Sequence, residues 1–285
     1  MVIFFDNHND IQYLYVILQK QKLNVQKRQL ELIIQHEINE QNVIFKKLHY
    51  ALKKLIMEKK RNEICKKILQ EDYFYHDPNE QEQIIQMLQS ILTGKRKDLY
   101  IETDFVQLQE KVDDAIIEVL QLNTSFSFDA FLTFRLRFYV EKFPTLLETA
   151  IDEYKLEQEY QMFIHFLRGF LTGRKSQMDC VYIINEEDFI FLDEKKQQMK
   201  RSDLNRRIDR KLISNHPIYV DSTTIAPLIS LAPKQIFLYT NNPDQGIIQT
   251  LKNVFEEKLI VLPLQSIAEL KKMIKNPCFL SREKL

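Results

Sequence analysis

FSFDAFLTFRLRFYVEKFPTLLETAIDEYKLEQEYQMFIHFLRGFL, residues 126–171, is the stretch on which the fold is read. Apolar residues recur in it at spacings of three and four, the period of an α-helix buried along one face. Pro144 suits the first turn of a helix, so the run divides into two helical segments, 128–143 and 144–171. Gly173 follows at the point where a helix of this kind ends. Arginines and glutamates fall inside the aromatic stripes, which sets this run apart from an ordinary surface helix.

Upstream, the same period starts near Val43 and continues through Ile44, Leu48, Leu52, Leu55 and Leu69. It breaks at YFYHDP (73–78), where Asn79 suits an N-cap, and resumes over 81–92 and 105–122. Residues 43–172 therefore read as one large helical block. Before it stand a strand at 2–5, a helix at 10–20 and a strand at 29–36. After it, VYII (181–184) and FIFLD (189–193) read as a hairpin with a polar loop. Further strands are expected at 218–220, 235–240 and 259–263. Helices are expected over most of 195–211, at 223–231, at 244–257 with Asp244 as cap, and from Ser266. The fold class is α+β, in three parts: 1–40, a helical domain 41–173, and an α/β domain 174–285. The two strand-bearing ends either share one sheet or form separate domains.

Composition narrows the function classes. Of 285 residues, 45% are hydrophobic and 28% charged, enough for a substantial core. Forty basic and forty acidic residues cancel, so no global field draws the chain to nucleic acid or membrane. Locally the charge is uneven: 195–211 holds eight basic residues against Asp203 and Asp209, while 102–118 holds six acids against Lys111. Three scattered cysteines, with no signal-peptide pattern and no apolar run near the ~20 residues of a membrane span, lead us to expect a cytoplasmic protein without a membrane association. The four glycines form neither phosphate-cradling motif, and the six histidines form no zinc motif, so neither cofactor nor metal is expected.

Four segments carry a resemblance: YFYHDPNEQEQI (73–84), FDAFLTFRLRFY (128–139), AIDEYKLEQEYQMFIHFLR (150–168) and HPIYVDSTTIAPLISLAPKQIFLYT (216–240). Together they resemble the YtxC-like sporulation-associated proteins of endospore-forming bacteria. The resemblance implies a cytoplasmic protein linked to spore formation, and brings no mechanism or catalytic residues with it.

Three places could hold chemistry. Glu153, Glu157 and Gln161 fall within or beside the apolar stripe of the second long helix, Arg168 lies near the same face, and Arg135 and Arg137 sit among phenylalanines of the first. Carboxylates on an apolar face demand partners, so Glu153 or Glu157 is expected to meet Arg135, Arg137 or Arg168, as a register-fixing ion pair or as a proton-transfer site. The loop of Thr240, Asn241, Asn242, Asp244 and Gly246 lies between a strand and a helix, where anions are often held, although the same residues also make plain turns. Arg201, Arg206, Arg207 and Arg210, with Lys53, Lys54, Lys59, Lys60 and Arg61, could track phosphates or form solvated faces. The function expected from all this is binding of a protein partner, without catalysis. The alternatives are a nucleic-acid-binding regulator working through 195–211 and an enzyme using Glu153 or Glu157 with an arginine.

Overall fold

A computed structural model describes residues 1–35, 41–95, 105–122, 124–186, 188–209, 211–212 and 221–267. The expected strand at 218–220 and helix from Ser266 lie essentially outside these residues, as do Arg210 and Cys278. Contacts divide the chain into two units, Met1–Leu156 and Glu157–Leu285.

The first unit is a small sheet with helices packed against it. Strand β1 (Val2–Phe4) is followed by α1 (His8–Lys20), then by a hairpin of β2 (Val25–Arg28) and β3 (Glu31–Ile34). The expected single strand at 29–36 is therefore half of a hairpin, and its turn places Gln29 at a φ of 46°. Next come α2 (Gln41–Lys54), a π turn (Leu55–Lys60), α3 (Arg61–Glu71), α4 (Pro78–Leu92) and α5 (Phe105–Gln121). Strand β4 (Phe126–Ser127) pairs parallel with β1, while β3 pairs antiparallel on β1's other edge. Both edges of β1 are thus occupied. The order here is β2-β3-β1-β4, and among the described residues the strands near the two ends of the chain lie in two separate sheets. Ile3, Leu32 and Ile34 share one apolar cluster with the helical Leu52, Ile84 and Ile116, so the N-terminal strands do not stand apart from the helices.

Helix α4 is capped by Asp77, not Asn79. The Asp77 carboxylate accepts from the main-chain N–H of Asn79 at 2.6 Å, and Pro78 occupies the first turn. The expected helix 128–143 is broken into α6 (Phe128–Ala130), a second π turn (Phe131–Arg135) and α7 (Arg137–Val140). The buried residues explain it: Phe128, Phe131, Leu136, Tyr139 and Phe143 all face the core. The step from Phe131 to Leu136 is five residues, one too many for an α-turn. A π turn closes it, with the Leu136 N–H donating to the Phe131 carbonyl at 3.1 Å.

Helix α8 (Phe143–Leu171) has Pro144 as its second residue and gives Phe163, Ile164 and Leu167 to the core of the second unit. That unit holds β5 (Cys180–Asn185), β6 (Phe189–Leu192), α9 (Arg201–Arg207), α10 (Ile225–Leu231), β7 (Gln235–Thr240), α11 (Gly246–Phe255) and β8 (Leu259–Pro263). The sheet order is β6-β5-β7-β8, with β5, β7 and β8 parallel and β6 antiparallel at one edge. Val181, Ile183, Ile236 and Leu238 are fully buried on the face that meets the apolar cluster of α10 and α11. Helix α10 is buried at every residue. The Asp221 carboxylate accepts from the N–H of Thr224 at 2.6 Å at its start, and Ala232 turns left-handed at its end.

Candidate binding site

A cluster of four charged side chains lies in the first unit. Asp10 falls in phase with Leu14 and Leu18 on α1 and is fully buried. One carboxylate oxygen of Asp10 accepts from Lys59 and the other from Lys60, the latter at 2.8 Å. Glu63 repeats the arrangement, with one oxygen 3.0 Å from Lys59 and the other 3.0 Å from Lys60. The π turn ending at Lys60 lets two consecutive lysines reach the same pair of carboxylates, and the result is a closed ring of four alternating charges. Burial pushes the Asp10 carboxyl up, but the hydrogen bonds from Lys59, Lys60 and Asn7 outweigh it and leave it below the ordinary carboxylate value. Burial likewise opposes the Lys60 charge, yet Asp10 and Glu63 hold that ammonium above its usual range. Lys53 is 2.6 Å from Asp113, which also stands 3.1 Å from His49 Nε2, and Lys54 is 3.7 Å from Glu58. The basic run 53–60 is therefore neutralised by acids of its own unit.

The arginine–glutamate network has a different layout from the one expected. Arg135 pairs with Glu118 at 3.3 Å, Arg137 with Glu141 at 2.7 Å, and Arg168 with Glu256 at 2.6 Å. Arg168 also donates twice to the Asn253 carbonyl, at 2.8 and 2.5 Å. Glu157 is exposed and accepts from Gln161 at 2.7 Å, so these two of the expected residues do meet. Glu153 is half-buried on α8. The π turn explains Arg135: the extra residue rotates Phe134 and Arg135 outward, and Phe134 is 77% exposed.

In the Thr240–Gly246 loop, the buried Thr240 hydroxyl accepts from Asn185 Nδ2 at 3.2 Å and from the N–H of Asn242 at 3.0 Å. Asn185 also donates to Gln245 Oε1 at 2.9 Å, tying the loop to the end of β5. The Pro243 carbonyl accepts from Gln249 and Lys252, both at 3.1 Å. Asp244 does not cap α11, since Gln245 holds the N-cap position. Asn241, Asn242, Asp244 and Gly246 are exposed, and the loop's geometry is that of a self-bonded turn.

Within 195–211, residues 195–200 are not helical, Lys211 is helical, and an α-helix runs over Arg201–Arg207 with Lys200 at its N-cap position. The residues before it are taken by β6: the Met199 N–H donates to the Phe191 carbonyl at 2.8 Å, and the Asp193 N–H to the Gln197 carbonyl at 2.9 Å. Where this short pairing ends, a cavity of about 620 Å³ opens. Its walls are Asp188 to Phe191 from β6 and its approach, Gln198 and Met199, Arg201, Leu204 and Asn205 of α9, and Ser222 and Thr223. Arg201 crosses the rim to Asp188 at 3.0 Å in an exposed pair. Arg206 and Arg207 are exposed and make no ion pair with a described residue. The far side of α9 is anchored: Arg174 pairs with Asp209 and donates to the carbonyls of Ile229 and Ser230, while the Asp209 N–H donates to Ser230 Oγ at 3.0 Å. Neither this cavity nor the Asp10 ring was expected from sequence. The ring had a signal, a carboxylate in the apolar phase of α1. The cavity had none, because three separated segments build it.

No described helix is long and apolar enough to cross a membrane. The family model for the YtxC-like family matches residues 46–260. A Bacillus subtilis (strain 168) protein described as uncharacterized protein YtxC is 31% identical over 277 residues, covering 96% of this chain and 98% of its own. No solved structure matches the chain. A family match over most of the length, together with that relative, shows that the chain belongs to the YtxC-like family.

Proposed function

We propose that this chain is a cytoplasmic, sporulation-associated protein that acts by binding a protein partner through the cavity of the second unit, without catalysis. The cavity carries the reading. At about 620 Å³ it has the size of a ligand or side-chain pocket, with Phe189, Phe191, Met199 and Leu204 for apolar contact and Arg201, Asn205, Ser222 and Thr223 for polar contact. The sporulation link rests on the family resemblance. A nucleic-acid partner is the second reading, supported by the exposed Arg206 and Arg207. It is weakened by the acids that neutralise Lys53, Lys54, Lys59 and Lys60. An enzyme built on Glu153 or Glu157 has less support, because Arg135, Arg137 and Arg168 are all engaged with other glutamates.

The test is affinity capture from sporulating cells, with and without nuclease, using the native chain and Asn205→Trp as baits. Asn205 is exposed on the cavity wall, so an indole there fills the opening without entering the core. A protein captured after nuclease by the native chain and lost with Asn205→Trp supports the reading. Capture that vanishes with nuclease moves nucleic acid to first place, and capture equally strong with both baits removes the cavity from it.

A further inference from the structure

Strand β6 is an edge strand, and only its C-terminal half is covered on the outer side. The bonds from Met199 to Phe191 and from Asp193 to Gln197 show which residues of β6 turn their main chain away from β5. They are alternate residues, as in any antiparallel ladder. The same alternation directs the N–H and C=O of Phe189 outward, together with the Phe191 N–H. Among the described residues no strand pairs with them on that side. Phe189 and Phe191 both line the cavity. A pocket whose wall is unpaired strand main chain is built to accept another strand.

The surroundings narrow the chemistry of that strand. Helix α9 closes the cavity, and from Lys195 to Arg207 the chain holds Lys195, Lys196, Lys200, Arg201, Arg206 and Arg207 against Asp203 alone. Lys200, Arg201, Arg206 and Arg207 are exposed. Among the described residues Arg201 is held by an exposed pair with Asp188, an interaction weak enough to be exchanged for an incoming carboxylate.

We infer that the partner enters this site as an extended, acidic peptide segment that adds a strand to the outer edge of Phe189–Phe191. This rests on the partner-binding reading above and names the class of partner. Main-chain bonds would hold the segment in register, alternate side chains would enter the cavity, and its carboxylates would meet Arg201 and the basic side chains of α9.

The test pans a library of random linear peptides displayed on phage against the full chain, and then compares the recovered binders on two variants. Phe189→Pro removes an outward N–H at the first residue of the strand, where proline leaves the ladder to β5 intact. Arg201→Glu/Arg207→Glu reverses charge on exposed positions and keeps the edge. Binders rich in Asp and Glu, lost on Phe189→Pro and weakened at least about tenfold by the double reversal, are expected. Circular dichroism verifies each fold, and if Phe189→Pro is misfolded the double reversal decides alone. No enrichment over an unrelated surface, or binders that are neutral or basic, would overturn the inference, as would binders held equally by the variants. If a cellular partner is lost on Asn205→Trp while these peptide results are negative, the cavity reading stands and strand addition falls.

Discussion

Replacing Asp10 by Asn keeps the shape of the side chain and removes the charge that two lysines share. Lys59 and Lys60 are 18% and 12% exposed, so most of their hydration is already lost, and among the described residues Glu63 is left to balance them. Breaking a buried ion pair by removing one partner costs about 3–5 kcal/mol. Residual solvent at the lysines and the retained Glu63 lower that here, and about 2–3 kcal/mol is expected. For a domain of this size that is a fall in Tm of roughly 5–10 °C. Thermal and urea unfolding followed by circular dichroism measure it. The pH profile supplies a second readout. The Asp10 carboxyl lies below its ordinary value when folded, so its contribution is complete above the unfolded value near ~4 and disappears as pH falls through the folded one. Asp10→Asn should therefore flatten the acid limb of the stability curve. The triple change Asp10→Leu/Lys59→Met/Lys60→Met should recover much of the loss, since an apolar set of similar volume needs no partner. A Tm within 2 °C of native for Asp10→Asn, or a triple variant less stable than the single one, would refute the reasoning.

Asp221→Ala should destabilise the second unit by about 1–2 kcal/mol, because the carboxylate serves the N–H groups of Thr223, Thr224 and Ile225. Burial raises its pKa, those bonds and the one from the Thr223 hydroxyl lower it further, and the net depression places the loss of this contribution below pH ~4. Burial pushes the Cys65 thiol up to about 12. In a Cys180→Ser/Cys278→Ser background it should resist a thiol-specific disulfide reagent at pH 8 until the chain is unfolded, whereas rapid native labelling would contradict the packing. Deleting Phe134 should convert the second π turn to an α turn and leave Leu136 on the face of Phe131, with cooperative unfolding retained. Deleting Asp152 from the middle of α8 turns every later residue by about 100° and should abolish it.

The strands of the second unit were legible because each is a short β-branched or aromatic run between turn residues, as Cys180–Asn185 and Gln235–Thr240 illustrate. The helices of the first unit were legible from their three-and-four spacing. The five-residue step from Phe131 to Leu136 was not, because a strict 3.6 period assigns Leu136 to another face, and that displaced Arg135 into an apolar setting it does not have. Charge at 195–211 reads as helix over most of the segment, yet residues 197–199 spend main-chain bonds on β6 and its end, a tertiary choice that local propensity cannot express. The rule that a carboxylate in an apolar stripe needs a partner was sound. Applied only to Glu153 and Glu157, it passes over Asp10, which lies in phase with Leu14 and Leu18 and is held by two lysines.

The four-charge ring also restricts how this chain can drift. Each oxygen of Asp10 and Glu63 belongs to one particular lysine, so no member is redundant and none can be lost without stranding a charge beside the core. Single steps away from the set pass through a destabilised intermediate, and Asp10, Lys59, Lys60 and Glu63 behave as one heritable unit. A family member with an apolar residue at position 10 is expected to have replaced both lysines as well.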